Sequence, residues 1–260
     1  MTGIKQFAVL QKDAAGASPE QLKRAFSSFS NLTEADAVRL AVSAHGILMR
    51  HVGRDEARAF QQALQAEGVG AAMVPEDELP QLPEGKLLHR LELSASALLV
   101  YDLLGRSTAV PWNEIALLAT GTVRHVEVTR TQTERTEYRL NAFTGVWPKK
   151  ISETQSKVQS ESQLALEIIL GGGATRYHID GARFPFNYVI NEPTLSTSQK
   201  FIWLVRELCH RATAAVLNGG ARWLRAGHES VPGYVNRQAL TDEIVWLLWQ
   251  AAQKKRLIVS

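Results

Sequence analysis

The chain has 260 residues, of which 45% are hydrophobic and 21% charged, and its formal net charge is +3. This composition is typical of globular proteins and excludes the disordered, collagen-like and disulfide-scaffold classes. The weak positive charge argues against a dedicated nucleic-acid binder. The single cysteine, Cys209, indicates a reducing compartment. With no signal-peptide pattern and no apolar run of roughly 20 residues, we expect a cytoplasmic protein of bacterial type.

The first 74 residues predict alternating strands and helices. Residues 4–10 form a strand, and a helix follows with Ser18 as N-cap, Pro19 in its first position and Gln21 completing a capping box. A second helix starts near Thr33. A strand at 46–52, a helix ending at Gly68 and a strand at 70–74 complete the order β-α-α-β-α-β.

This order, and the stretches VGRDEARAFQQALQAEGVGAAMV (52–74) and NLTEADAVRLAV, resemble the C-terminal domain of the bacterial ribosomal stalk protein. The resemblance implies that residues 1–74 share its α/β fold. In that family the first helix and its neighbour present a basic and apolar surface to translation factors. Here that helix offers only Lys23 and Arg24, so the fold is carried over and the ribosomal role is not.

Residues 75–85, PEDELPQLPEG, predict a linker, because three prolines interrupt both helices and sheet ladders. Strands follow at 86–93 and 97–102 around a Ser-Ala-Ser turn, and further strands at 163–170 and 175–180 around Gly-Gly-Gly-Ala. A long amphipathic helix then begins at Ser196 or Ser198 and closes at Asn218-Gly219. A last helix is predicted with Thr241 as its cap.

The row of antiparallel strands with one sealing helix, together with VPWNEI, resembles bacterial pleckstrin-homology-like domains over residues 86–217. The fold prediction is therefore α+β: a β-α-α-β-α-β module, then residues 86–220 as a pleckstrin-homology-like β-barrel with a capping helix, and residues 221–260 as a C-terminal helical extension. The pattern departs from the family at 124–162, which we interpret as an inserted arm. Trp112 and Ile115 are predicted to fill the barrel interior.

One pair of residues suggests metal chemistry. His178 and Asp180 share a strand face, and with His228 and Arg237 they match the spacing of an iron- and 2-oxoacid-dependent oxygenase. The intervening segment predicts a long helix where such an enzyme needs strands. A metal-dependent oxygenase using His178 and Asp180 therefore stays an alternative.

The remaining motifs do not predict catalysis. Gly-Gly-Gly-Ala lacks the lysine of a phosphate loop and precedes a strand, and Cys209 and His210 point about 100° apart on one helix. We therefore expect a non-enzymatic protein with no cofactor and no metal site.

The favoured function is that of an adaptor or scaffold that binds an unidentified protein. Candidate contact residues are the two bases of the first helix and three tryptophans outside the predicted core rows, namely Lys23, Arg24, Trp203, Trp246 and Trp249. For the tryptophans of the last helix, the interpretation we favour over a contact surface is a helix packed from both sides. A peripheral membrane or phosphoinositide-binding adaptor is a further alternative, which the base-free Ser-Ala-Ser turn disfavours. The sequence leaves the oligomeric state open.

Overall fold

A computed structural model describes the backbone of residues 5–13, 17–28, 33–141 and 145–259, with the side chains of these residues outside 125–160, 172 and 257–259. The described helices are α1 (Pro19–Ser27), α2 (Glu34–Ser43), α3 (Arg54–Ala66), α4 (Thr197–Arg211), α5 (Gly219–Arg225) and α6 (Arg237–Val259). The described strands are β1 (Phe7–Gln11), β2 (Ile47–Val52), β3 (Ala71–Pro75), β4 (Lys86–Leu87), β5 (Leu91–Leu93), β6 (Ala97–Tyr101), β7 (Ser107–Pro111), β8 (Ile115–Asn141), β9 (Gly145–Leu170), β10 (Thr175–Asp180), β11 (Val216–Leu217) and β12 (Gly233–Tyr234). The mixed α+β class is as the sequence predicts.

Two compact units can be distinguished. The first comprises Met1–Val123 and Gln163–Ser260, and the second comprises Arg124–Ser162. The second unit includes the residues of β8 from 124 onward and the residues of β9 up to 162.

The N-terminal elements form an antiparallel sheet in the order β2-β1-β3. Phe7 and Val9 of the central strand pack with residues of α1, α2 and α3, whereas Ala8 and Leu10 pack with residues of α6. A strand covered on both faces needs apolar residues at consecutive positions, which explains the run FAVL. α1 begins at Ser18 with the predicted capping box to Gln21.

The remaining strands form two sheets. One has the order β5-β6-β7, and the other has the order β11-β8-β9-β10-β4 with β12 also beside β8. Both contribute side chains to one core together with α4. The predicted closed barrel is wrong for the part of the chain that is described, because the short strands β4, β11 and β12 occupy the edges of the larger sheet.

The strand predicted at 86–93 is in fact two strands in different sheets. β4 pairs in parallel with β10, whereas β5 pairs with β6. Leu88 donates its N–H to the carbonyl of His178 before the chain leaves the larger sheet. The chain therefore crosses from the larger sheet to the smaller one between β4 and β5, and the predicted single strand does not exist. Upstream, within 75–85, Leu79 is buried in the core that contains α6.

Helix boundaries were predicted correctly at one end and wrongly at others. Ser196, one of the two predicted caps, is the N-cap of α4 and forms a capping box with Gln199. The helix ends at Arg211, however, and Asn218 caps the start of α5. α6 begins at Arg237, where Asn236 Oδ1 accepts the N–H of Ala239 at 2.9 Å. The prediction that Thr241 caps this helix is therefore wrong.

The VPWNEI stretch makes a turn between β7 and β8. Trp112–Glu114 is a single 3₁₀ turn, and Ile115 is fully buried, as predicted. Trp112 is only half-buried and packs against the outside of the core. It therefore covers the edge of the core and does not fill a barrel.

Candidate functional site

A cleft of about 550 Å³ lies between the N-terminal sheet and the start of α6. Its apolar lining comes from both sides: Phe26, Leu40, Ile47, Leu48, Met49, Val235 and Ala239. The two sides belong to distant parts of the sequence, so the cleft exists only because α6 packs against the N-terminal sheet. A concave, largely apolar surface of this kind is the usual form of a binding site.

The contact that holds α6 in place is made at the turn before β2. Trp246 donates its indole N–H to the carbonyl of Gln11 at 2.7 Å, and its ring packs directly on Gly46. A Cβ atom added to Gly46 would lie 2.1 Å from the ring, and the residue has a φ of +80°. Only glycine satisfies both conditions, since other residues rarely adopt this backbone conformation.

Arg50 is the charged residue that ties the two walls of the cleft together. Its guanidinium lies 2.8 Å from Glu76 Oε2 and 2.8 Å from Asp242 Oδ1. The hydrogen bond with Glu76 raises the pKa of Arg50. Burial opposes this increase, and Asp242 adds to it. Burial alone would raise the pKa of Glu76, but Arg50 and the N–H of His51 lower it. Both carboxylates are therefore held as ion-pair partners.

A second cavity, of about 330 Å³, lies on the other side of His45. Glu243 lines it and is 8% exposed. Its carboxylate accepts hydrogen bonds from the hydroxyl of Tyr234, from Asn218 Nδ2 at 3.2 Å and from the N–H of Gly219 at 3.3 Å. These donors fix the carboxylate to α5 and β12.

His45 lines both cavities and packs against Tyr234 with the rings tilted and their centroids 4.6 Å apart. Burial lowers the pKa of His45, and the negative charge of Glu243 only partly opposes this. Burial, followed by Glu243, raises the pKa of Tyr234. At neutral pH both side chains are therefore uncharged.

Three valines on or next to the elements that line the cleft are exposed to solvent. On α2, which gives Leu40 and Ser43 to the lining, Val38 and Val42 are 40% and 64% exposed and lie one helical turn apart. Val235, which lines the cleft itself, is 41% exposed, and Val42 lines the second cavity. Exposed large apolar side chains next to an apolar cleft mark a contact surface for another molecule.

Of the pair considered for metal binding, His178 belongs to a structural ion cluster and Asp180 does not. His178 Nδ1 lies 3.0 Å from Glu167 Oε1, although the two groups are not aligned for a hydrogen bond. Asp180 accepts the N–H of Ala182 at 2.9 Å. His228, the third residue of the hypothesis, stacks on Trp223 at 3.9 Å. No group of three or more His, Cys, Asp or Glu suited to a metal ion occurs among the described residues.

Glu167 is the centre of that cluster and is fully buried. Arg176 Nε lies 2.8 Å from one of its oxygens, and Arg237 Nη2 lies 3.0 Å from the other. Burial alone would raise the pKa of Glu167, but His178 and Arg176 lower it to about 2. The cluster thus joins β9 and β10 to the first turn of α6.

Lys23 and Arg24, both proposed as contact residues, are engaged in ion pairs with neighbouring helices. Lys23 Nζ lies 2.9 Å from Glu34 on α2, and Arg24 Nε lies 2.6 Å from Glu67 at the end of α3. Both pairs are partly exposed and so are worth little in free energy. They lie on the helical face of the N-terminal sheet.

The three tryptophans lie in different surroundings. Trp246 is buried and lines the second cavity, and Trp249 packs half-buried beside it. Trp203 lines a separate groove on α4 with Ile202 and Arg206. α6 is thus packed from both sides, as the favoured interpretation of its tryptophans predicted.

Two further predictions concern other chemistry. Burial raises the pKa of Cys209 to about 11, which agrees with a buried, inert thiol. The Ser-Ala-Ser turn, predicted to have no base nearby, is contacted by Arg211, which is distant in the sequence. Arg211 donates to the carbonyl of Ser94 at 3.1 Å and to Glu207, and is therefore already engaged.

Sequence reasoning missed the cleft because its parts are far apart. Arg50, Glu76 and Asp242 carry no local motif, and Val38 and Val42 look like ordinary helix positions. The only sequence signal was the apolar content of α6, which exceeds what one buried helix face needs.

Comparison of the chain with protein-family models, with curated proteins and with solved structures finds no match. Among the described helices, none is both long enough and apolar enough to cross a bilayer.

Proposed function

We propose that this protein is a non-enzymatic interaction protein, an adaptor or scaffold, that binds a partner polypeptide in the cleft between α2, β2 and α6. The observation that carries the proposal is the largely apolar cleft of about 550 Å³, together with the exposed pair Val38 and Val42 on α2, the helix that gives Leu40 and Ser43 to its lining. A partner segment with apolar side chains one helical turn apart, or two residues apart in extended form, fits this surface.

The ionisable groups of the cleft favour binding over catalysis. Catalytic acids and bases need a proton that they can give or take near the working pH. Arg50 and Asp242 are joined to each other, and Glu76 accepts from Arg50 and from the backbone of His51. The low pKa of His45 leaves a neutral ring against Tyr234.

We also propose the finer fold resemblance. The order β2-β1-β3 with three helices on one face supports a relation of residues 1–74 to the ribosomal stalk C-terminal domain. A three-stranded sheet and a larger sheet that share a core with α4 support a pleckstrin-homology-like relation of residues 86–220, with an open arrangement of the two sheets. Both kinds of module commonly serve as binding platforms, although a fold alone does not fix a function.

The test combines a photo-crosslinker at position 42 with the substitution Val38→Asp and identifies the partners that bind. A photo-crosslinking amino acid is placed at Val42 in cells that produce the protein, and cross-linked partners are identified with and without the Val38→Asp change. A crosslinker at the exposed Ala182 serves as the matched control site. We expect a partner that is cross-linked from position 42, absent from position 182, and lost with Val38→Asp.

The same partners from both positions, or partners unaffected by Val38→Asp, would refute the proposed surface. Circular dichroism and chemical denaturation of the Val38→Asp variant exclude unfolding as the cause of a loss. This substitution changes an exposed side chain, so the expected change in stability is within about 0.5 kcal/mol.

A further inference from the structure

The β6–β7 hairpin leaves one strand edge without protection. β7 pairs with β6 and lies at the end of its sheet. Asp102 donates its N–H to the carbonyl of Arg106 next to the turn, so in this antiparallel ladder Thr108 and Val110 make the hydrogen bonds to β6. The N–H and C=O groups of Ser107 and Ala109 therefore point away from the sheet, where no described residue accepts or donates to them.

Exposed strand edges normally carry charges, are very short or are covered. β7 is five residues long, contains no charged residue, and Ser107, Thr108 and Ala109 are all exposed. Its one feature that hinders pairing with a further strand is Pro111, which has no N–H to donate and is the last residue of β7. The other described edge strands have protection: β4, β11 and β12 are two residues long, β2 carries Arg50 and His51, β5 carries Glu92, and Gln61 donates to β3.

The turn of the same hairpin holds two leucines in solvent. Leu103 and Leu104 are 84% and 77% exposed, more than any other large hydrophobic residue described. The turn is preorganised, because Asp102 Oδ1 accepts the N–H of Leu104 at 2.9 Å and Gly105 adopts a φ of +77°. The turn itself thus holds the two leucine side chains in solvent, and their exposure is not the consequence of an irregular loop.

We infer that β7 pairs antiparallel with β7 of a second copy of this chain, around a two-fold axis at Thr108. In this register Ser107 lies opposite the second copy's Ala109, and every outward N–H of these residues meets an outward C=O. The register ends where Pro111 has no N–H to offer. Such a self-complementary patch is what a two-fold dimer requires.

The leucine turn fits the same arrangement. The leucine turn precedes β7 and Trp112 follows it, so antiparallel pairing brings the leucine turn of one copy to the same end of the paired strands as Trp112 of the other, whose ring is half-buried on its own core. An apolar turn would thus cover the exposed part of an apolar ring, twice per dimer. Because β7 carries no charge, two copies of it pair without electrostatic repulsion. A charged extended partner would find no opposite charge on β7, so a second copy is the better fit.

The test measures the dimer dissociation constant of the full chain by sedimentation velocity over a range of concentrations. Ala109→Pro removes an outward N–H without removing a hydrogen bond to β6, and Ala109→Lys places like charges near each other across the axis. We expect each change to raise the dissociation constant by roughly tenfold or more. Ala182→Lys, at an exposed loop position, is the matched control and should leave it unchanged.

The register has its own test. In the double variant Ser107→Glu/Ala109→Lys, each lysine lies opposite a glutamate of the second copy, so the dimer should return toward the wild-type dissociation constant. Leu104→Ser should weaken the dimer without altering the hairpin. A wild-type chain that stays monomeric at all concentrations, or a dimer insensitive to Ala109→Pro, overturns the inference. A monomer whose edge instead captures another polypeptide also overturns the choice of a second copy.

Discussion

The buried carboxylate of Glu167 allows a quantitative prediction. Its pKa is lowered from 4.5 to about 2 by His178 and Arg176, which outweigh the cost of burial. One unit of pKa difference between the folded and unfolded states is worth about 1.4 kcal/mol. Ionised Glu167 therefore contributes about 3 kcal/mol to the free energy of unfolding at pH 7.

The sign of the pH dependence follows from the lowered pKa. The contribution is complete above the unfolded-state pKa of 4.5 and is lost as the pH falls toward about 2. Between these limits it decreases to about 1 kcal/mol at pH 3, because the unfolded chain is then largely protonated at this residue while the folded chain is still largely ionised. Stability from this residue therefore rises with pH across the acidic range.

The perturbation is Glu167→Gln, which keeps the size of the side chain and removes its charge. Chemical denaturation at pH 7 and pH 3 should show a loss of about 3 kcal/mol at the higher pH and about 1 kcal/mol at the lower. Glu78→Gln is the matched control, since Glu78 is 64% exposed and its contact with Lys5 is 3.9 Å long. A difference under about 1 kcal/mol at pH 7, or one independent of pH, would refute the reasoning.

Three further predictions concern the contacts around α6 and the single thiol. Tyr234→Phe removes the hydroxyl that donates to Glu243 and should lower the free energy of unfolding by about 1–3 kcal/mol in urea denaturation; an unchanged midpoint would show that water replaces it. Trp246→Phe removes the hydrogen bond to Gln11 and should cost about 1–2 kcal/mol, more than Trp249→Phe at a half-buried position; equal losses would contradict the role given to that bond. Cys209, with its pKa raised to about 11, should react with a disulfide reagent at pH 8 only after denaturant is added; rapid reaction of the folded protein would place the thiol at the surface.

Local capping signals predicted the start of α1 and limited the start of α4 to Ser196 or Ser198. Ser18 and Ser196 each stand three residues before a glutamine, and both form capping boxes. At α6 the prediction chose Thr241, whereas the helix begins earlier, at Arg237 after Asn236. Thr241 accepts from Arg176 Nη2 at 3.4 Å on a neighbouring strand, a tertiary contact that local rules do not include.

Sheet closure could not be predicted for a related reason. Alternation and turn residues specify that strands form and which neighbours make hairpins, as they did for β5–β6 and β9–β10. They do not specify which strand takes a free edge. β11 and β12 come from segments beyond α4 and pair in parallel with β8, and a long-range parallel pairing of two residues leaves no periodic trace in the sequence.

The cleft was unpredictable because it depends on the packing of α6 against the N-terminal sheet, which is also a long-range contact. Its charged contacts join residues of β2 and α6 that lie 192 positions apart in the chain. The apolar run VWLLW predicts burial of α6 but not the surfaces that bury it. Exposure of Val38 and Val42 likewise becomes meaningful only once other residues of their helix are known to line the cleft.

The contact between Trp246 and Gln11 has a consequence for synthesis of the protein. The two residues are 235 positions apart, and Gln250 makes a similar bond to the carbonyl of Lys12. On the ribosome, β1 emerges among the first segments, yet one of its faces stays uncovered until α6 has been made. At about 5–20 residues per second this interval lasts on the order of ten seconds or more, during which the nascent chain shows an apolar strand face to chaperones and to neighbouring chains.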